Sequence, residues 1–78
     1  MQNDEKKTYY DIIVKCWIAF SKERSYPEFS EDWWKSVISD FDSIHDEYAK
    51  TDQGEVMDAI GMALLNEHER RQKNVLHH

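Results

Sequence analysis

The side chains that could carry out chemistry in this chain are one cysteine, four histidines and 16 carboxylates. Cys16 lies inside an apolar run, whereas a catalytic thiol needs an electropositive, partly exposed setting that lowers its pKa. We therefore interpret Cys16 as a core residue. Acid–base chemistry needs a pocket that separates the pKa values of two carboxylates, and so short a chain has little volume for one. Because no phosphate-binding glycine loop or nucleophile motif occurs either, the sequence predicts a protein that is not an enzyme and uses no cofactor.

Two histidines lie within the chain rather than at its end. Metal sites on helices commonly use two histidines one turn apart or a Glu-x-x-His pair, and neither spacing involves His45 or His68. His45 is close to Asp42 and Asp46, and His68 stands between two glutamates, so both are expected at the surface in ion pairs. The sequence predicts no metal site. The histidines at 77–78 are consistent with the remnant of a purification tag.

The charge of the chain is acidic and unevenly distributed. The net charge is −6, and the acids are concentrated between Glu28 and Asp58. Such a surface repels nucleic acid and favours a partner with a basic surface, although solvated helix faces also look like this. The expected acidic face consists of Asp40, Asp42, Asp46 and Glu47.

The composition indicates one all-α domain over residues 1–76. Two glycines and one proline are too few for a turn-rich β fold. No stretch reaches the roughly 18 consecutive apolar residues of a membrane-spanning helix. A single cysteine fits a reducing compartment, so we expect a cytoplasmic protein.

The first predicted helix covers about residues 5–24, and its apolar residues surround most of its circumference. At about 100° per residue, positions 12–20 are apolar over an arc of roughly 260°, whereas a peripheral helix needs a stripe little wider than about 100°. The helix is therefore expected to be buried on nearly all sides. Deep wrapping by two further helices, a homodimer and a different partner protein are the three explanations, and we favour the last two. The expected dimer face consists of Ile13, Trp17 and Ile18.

The second predicted helix covers about residues 31–49. Pro27 prevents the first helix from continuing, and Ser30 has the side chain of a helix N-cap. Phe29 before the cap and Trp34 in the first turns can form a hydrophobic staple. Apolar residues then recur with the 3-4-3-4 spacing of an antiparallel bundle. This predicted seam consists of Trp34, Val37, Phe41, Ile44 and Tyr48.

The third predicted helix covers about residues 53–71. Gly61 inside it costs roughly 1 kcal/mol relative to alanine, so close approach to another helix is the expected compensation. Both connections are short, which makes consecutive helices antiparallel and predicts a small three-helix up-down-up bundle, either alone or as a dimer. The core face of this helix is predicted to consist of Val56, Met57, Ile60, Ala63 and Leu64.

Aromatic residues cluster around the first connection. Trp33 lies off the predicted seam of the second helix, near Tyr26 and Phe29. These three residues either cap the end of the core or form a partner-binding patch, since tryptophan and tyrosine are enriched in such anchors.

These features favour a non-enzymatic, acidic protein-interaction module, such as a regulator or inhibitor that covers a basic surface on its target. A nucleic-acid-associated factor is the first alternative, because Arg70, Arg71 and Lys73 could contact phosphates. The simpler role of these bases is to balance the negative C-terminal end of their helix. A structural subunit of a larger assembly is the second alternative.

Overall fold

A computed structural model describes residues 1–76, and these residues form three helices. The helices are α1 (Asn3–Ser21), α2 (Glu31–Tyr48) and α3 (Gly54–Leu76). Each helix packs against both others, and no strand occurs in this part of the chain. The prediction of a small all-α bundle is therefore confirmed. The proposed tag remnant at 77–78 lies outside the described residues.

Contacts between side chains show that consecutive helices are antiparallel. Lys15 of α1 pairs with Glu47 of α2, and Arg24, just after α1, pairs with Asp40 of α2. Positions on α2 therefore decrease as positions on α1 increase. The same relation joins α2 to α3, where His45 contacts Asp58 and the Trp34 indole donates to Gln72. This order is the predicted up-down-up topology.

The ends of α1 and α3 differ from the predicted ends. Helix α1 stops three residues early, because Lys22 is extended and Arg24 folds back to donate from Nη2 to the Ala19 carbonyl at 2.6 Å. The guanidinium thus satisfies a carbonyl at the end of the helix. Helix α3 continues to Leu76 instead of ending near residue 71. A Glu67–Arg70 ion pair one turn apart supports this polar extension.

The connection into α2 holds an aromatic residue in an unusual conformation. Phe29 has φ of 68°, which costs a residue with a side chain roughly 1–2 kcal/mol. Its ring packs edge-on against Trp33 with ring centroids 5.1 Å apart, and it also lies 6.4 Å from Trp34, as the staple predicts. Ser30 accepts a hydrogen bond from the Trp33 backbone N–H at 3.2 Å, so the predicted cap is confirmed.

The residues that are buried in the core differ at several positions from those predicted for α2 and α3. Trp33 is only 5% exposed and leads the buried stripe of α2, whereas Trp34 lies at its edge towards α3. Placing Trp33 off the seam is therefore wrong. Val56 and Ala63 are exposed, so their assignment to the core of α3 is also wrong. The buried apolar residues are Ile12, Cys16, Ala19, Trp33, Val37, Phe41, Ile44, Tyr48 and Met57.

Candidate functional site

Helix α1 is covered on one side only. Ile12, Cys16 and Ala19 are its buried residues, and they lie within one arc of the helix. The expectation that α1 is buried on nearly all sides is therefore wrong for the single chain. Trp17 is 59% exposed and Ile13 and Ile18 are each 55% exposed, so the three residues of the expected dimer face are open to solvent.

The exposed apolar residues of α1 form one continuous surface. At about 100° per residue they occupy an arc of roughly 140° centred opposite the buried residues. Lys6 and Lys7 are exposed on the same side, one turn nearer the N-terminus. We call this surface the α1 face, and it consists of the exposed residues Tyr10, Ile13, Trp17 and Ile18 with the half-buried Val14 among them.

The total accessible surface is large for the mass of the chain. The protein exposes 5835 Å², whereas a compact monomer of 9.4 kDa is expected to expose about 5,000 Å². The excess is about 800 Å², which is one partner's share of a standard protein–protein interface. It fits a molecule 47 Å long whose first helix is covered on one side and whose third helix extends past the core.

The acidic face is divided by ion pairs into two halves. Asp40 accepts a hydrogen bond from Arg24 Nη1 at 2.7 Å, and Glu47 pairs with Lys15. These two carboxylates face α1 and are locally neutralised. Asp42 and Asp46 are exposed and form no ion pair within residues 1–76, so only this half presents free negative charge to a partner.

The aromatic patch is only partly available to a partner. The structure brings Phe29 and Trp33 together, but Trp33 is buried beneath its neighbours. The Arg71 guanidinium lies 5.4 Å from the centroid of the Phe29 ring and covers it. Tyr26 is exposed. Phe29 and Trp33 therefore cap the core, and Tyr26 alone stays open to solvent.

His68 is a core residue, and the expectation that it lies at the surface is wrong. It is 2% exposed, with its ring centroid 4.3 Å from that of Phe20 and 4.9 Å from that of Trp33. Sequence spacing could have found it, because Met57, Gly61, Leu64 and His68 follow a 4-3-4 stripe.

The protonation state of His68 follows from its neighbour Arg71. Arg71 Nη1 lies 2.9 Å from His68 Nδ1, and a guanidinium can only donate, so Nδ1 accepts and the proton is on Nε2. The buried Nε2 has no hydrogen-bond partner of good geometry within residues 1–76. Burial, reinforced by the positive charge of Arg71, lowers the pKa of His68, and the backbone of Phe20 acts in the opposite direction. The ring is therefore neutral near pH 7.

His45 lies at the surface in an ion pair, as predicted, although its partner comes from another helix. Its Nδ1 is 2.6 Å from Asp58 Oδ1 of α3. The hydrogen bond to Asp58 and the charge of that carboxylate raise the pKa of His45. This pair therefore links α2 to α3 when the imidazole is protonated.

The basic end of α3 is largely neutralised by carboxylates. Arg70 pairs with Glu67. Arg71 Nη2 lies 3.1 Å from Glu28, and Arg71 Nη1 donates a hydrogen bond to His68 Nδ1. Two of the three bases are thus engaged in ion pairs within the protein. Because phosphate contacts require free cations, this arrangement weakens the nucleic-acid alternative.

Within the part of the chain that the structure describes, neither the one thiol nor the metal-ligating side chains form a reactive site. Burial raises the pKa of the Cys16 thiol, which keeps it protonated and poorly nucleophilic. Residues 1–76 contain no group of three or more metal-ligating side chains, and none of their helices has the length and apolarity needed to cross a membrane.

No protein-family model, curated protein or solved structure matches this chain.

Proposed function

We propose that this chain is a non-enzymatic protein-interaction module that docks through the α1 face. The observation that carries the proposal is Trp17, which is 59% exposed between Ile13 and Ile18 on a helix whose opposite side is buried in the core. Tryptophan is the residue type most enriched among the anchors of protein interfaces. A contiguous apolar surface of this kind is uncommon on a protein that acts alone.

The first occupant of the α1 face is a second copy of the chain. An exposed apolar surface of this kind is what a stable dimer buries, and small bundles without disulfide bonds often gain stability by association. Two α1 helices packed antiparallel would place Lys6 and Lys7 of one copy beside the C-terminal end of the other.

The acidic exterior suits a second, basic partner. The net charge of −6 and the free carboxylates Asp42 and Asp46 favour association with a positively charged protein surface. In this proposal the dimer acts in the cytoplasm as a regulator or inhibitor that covers such a surface on its target.

Sedimentation equilibrium tests the dimer. The wild-type chain should sediment as a dimer, whereas Trp17→Lys should sediment as a monomer with an unchanged circular dichroism spectrum, because Trp17 contributes little to the core. Met62→Lys is the matched control, since Met62 is 60% exposed but lies on α3, and this variant should stay dimeric. A wild-type chain that remains monomeric at the highest soluble concentration would contradict self-association through the α1 face.

A further inference from the structure

A second apolar depression runs between α2 and α3 and is lined by residues of these two helices only. It consists of two adjoining cavities of about 540 Å³ and 360 Å³ that share Leu65. Ile38 is 47% exposed and Met62 is 60% exposed, and Trp34 closes one end of the floor. We call this depression the α2/α3 groove. Because none of its residues belongs to α1, it is separate from the α1 face.

Acidic side chains line the edges of the α2/α3 groove. Asp42 on the α2 edge and Glu69 on the α3 edge are both exposed, and neither forms an ion pair within residues 1–76. Asp58 lies at one end, where His45 partly neutralises it, and Lys73 lies at the other. An apolar floor between carboxylates complements a ligand that is apolar along one side and positively charged on both flanks.

The size of the groove corresponds to about three turns of helix. Trp34 and His45 mark its ends on α2, and eleven steps of about 1.5 Å separate them by roughly 16 Å. A helix of this length presents apolar residues at i, i+3, i+4 and i+7 to a groove. The flexible side chain of Met62 lets the floor adapt to such residues.

We infer that the α2/α3 groove binds a basic amphipathic helix of the partner protein. The apolar stripe of that helix packs on Ile38, Met62 and Leu65, and its lysine or arginine side chains pair with Asp42 and Glu69. This inference rests on the proposed function in one respect, since it names the segment through which a basic partner is recognised. It does not depend on the dimer, which uses the other side of the molecule.

The test measures binding of a synthetic peptide of about 14 leucine and lysine residues with the leucines on one helical side. Titration calorimetry with the full chain should give a saturable 1:1 isotherm per chain, and a peptide of the same composition in permuted order should bind about tenfold more weakly or worse. In nuclear magnetic resonance spectra the indole N–H of Trp34 should shift on binding, while that of Trp17 should not.

Paired variants locate the binding site. Ile38→Lys should weaken peptide binding by about tenfold or more, whereas Ile18→Lys on the α1 face should change it by less than about twofold. Asp42→Asn combined with Glu69→Gln should weaken binding by about tenfold, and the control Asp11→Asn by much less, because Asp11 lies on α1 and outside the groove.

Three results would overturn the groove. They are no saturable binding of the amphipathic peptide, equal losses in Ile38→Lys and Ile18→Lys, and loss of self-association in Ile38→Lys, which would mean that a second copy fills the groove. Sedimentation of the same samples separates this failure from failure of the proposed function. If the chain is a dimer that does not bind the peptide, only binding in the groove is contradicted. If it is a monomer that binds the peptide, only self-association is contradicted.

Discussion

The two interior histidines differ because their surroundings stabilise opposite charge states. His68 is enclosed by aromatic rings and receives a hydrogen bond from Arg71, so both burial and the neighbouring cation oppose its protonation. His45 is exposed beside Asp58, which favours protonation. The stability of the bundle should therefore contain two contributions of opposite sign, that of His68 changing below about pH 6.5 and that of His45 above it.

The contribution of His68 is an expected loss of stability in acid. Its pKa lies below the ordinary value of 6.5 in the folded chain, so the unfolded chain binds more protons as the pH falls below about 6.5. The free energy of unfolding should fall by up to about 1.4 kcal/mol per pH unit until the pH reaches the lowered pKa. His68→Phe fills the same aromatic site without a titrating group and should remove this slope in urea unfolding measured at several pH values.

His45→Gln is the control for this titration. The pKa of His45 is raised in the folded chain, so its pair with Asp58 stabilises the fold at low pH and is lost as the pH rises through that pKa. Below about pH 6.5 this stabilisation is constant, so removing His45 should lower the stability in acid without changing the slope that His68 produces there. If His68→Phe retained the wild-type slope, the titration of a buried His68 would not be its cause.

At the residue scale, the sequence predicts ionic neighbours better than burial. The acids near His45 correctly indicate a surface ion pair, although the partner is supplied by α3. The acids beside His68 suggest the same, but a helix turns about 100° per residue, so Glu67 and Glu69 point away from the side that His68 shares with Gly61 and Leu64. Trp33 is misassigned because it lies four residues before Val37 and Trp34 lies three residues before it, so helical spacing alone admits either as the first residue of the seam.

At the element scale, the two glycines of α3 differ in whether their neighbours can make room for a side chain. A Cβ atom on Gly61 would lie 3.3 Å from Met57 Cε and 3.5 Å from Phe41 Cδ1, and the end of a methionine side chain moves easily. A Cβ atom on Gly54 would lie 3.0 Å from the Tyr48 carbonyl oxygen and 3.3 Å from that of Ala49. Backbone atoms at the end of α2 have no such freedom.

Alanine substitutions should therefore change stability in opposite directions. Gly61→Ala should raise the free energy of unfolding by about 0.5–1 kcal/mol, because glycine disfavours helix by about that amount and the contact with Met57 is relieved cheaply. Gly54→Ala should lower it, because the turn between α2 and α3 must shift. Thermal and urea unfolding of both variants checks the signs. A destabilised Gly61→Ala would mean that α2 and α3 approach too closely to admit one methyl group.

The ends of the helices depend on contacts that local sequence patterns do not contain. Pro27 and Ser30 correctly indicate where α2 begins, because both act through the local backbone. The end of α1 is set by Arg24, whose guanidinium reaches back to Ala19 and across to α2. This long-range contact is absent from any pattern of neighbouring residues, and the predicted helix therefore ends three residues too late.

At the scale of the whole molecule, the fold follows from a few sequence features, whereas the exposed surfaces do not. Three apolar periodicities and two short connections suffice for an up-down-up bundle. They also indicate that α1 has more apolar surface than two helices of this length can cover. Which side of α1 stays open depends on how the core side chains of α2 and α3 pack. The α2/α3 groove likewise lies between side chains of two helices, and only the packed helices define it.

A dimer formed through the α1 face makes thermal stability depend on concentration. A hundredfold increase in concentration adds roughly 1.4 kcal/mol per chain to a dimer that unfolds to monomers, and about 1 kcal/mol moves Tm by roughly 4–8 °C in a domain of this size. We therefore expect the wild-type Tm to rise by about 5–10 °C over that range. Trp17→Lys should show a Tm independent of concentration, because its folded state is a monomer. Ile38→Lys keeps the α1 face intact and should retain the wild-type dependence, so a constant Tm in all three proteins would count against the α1 dimer even if they fold alike.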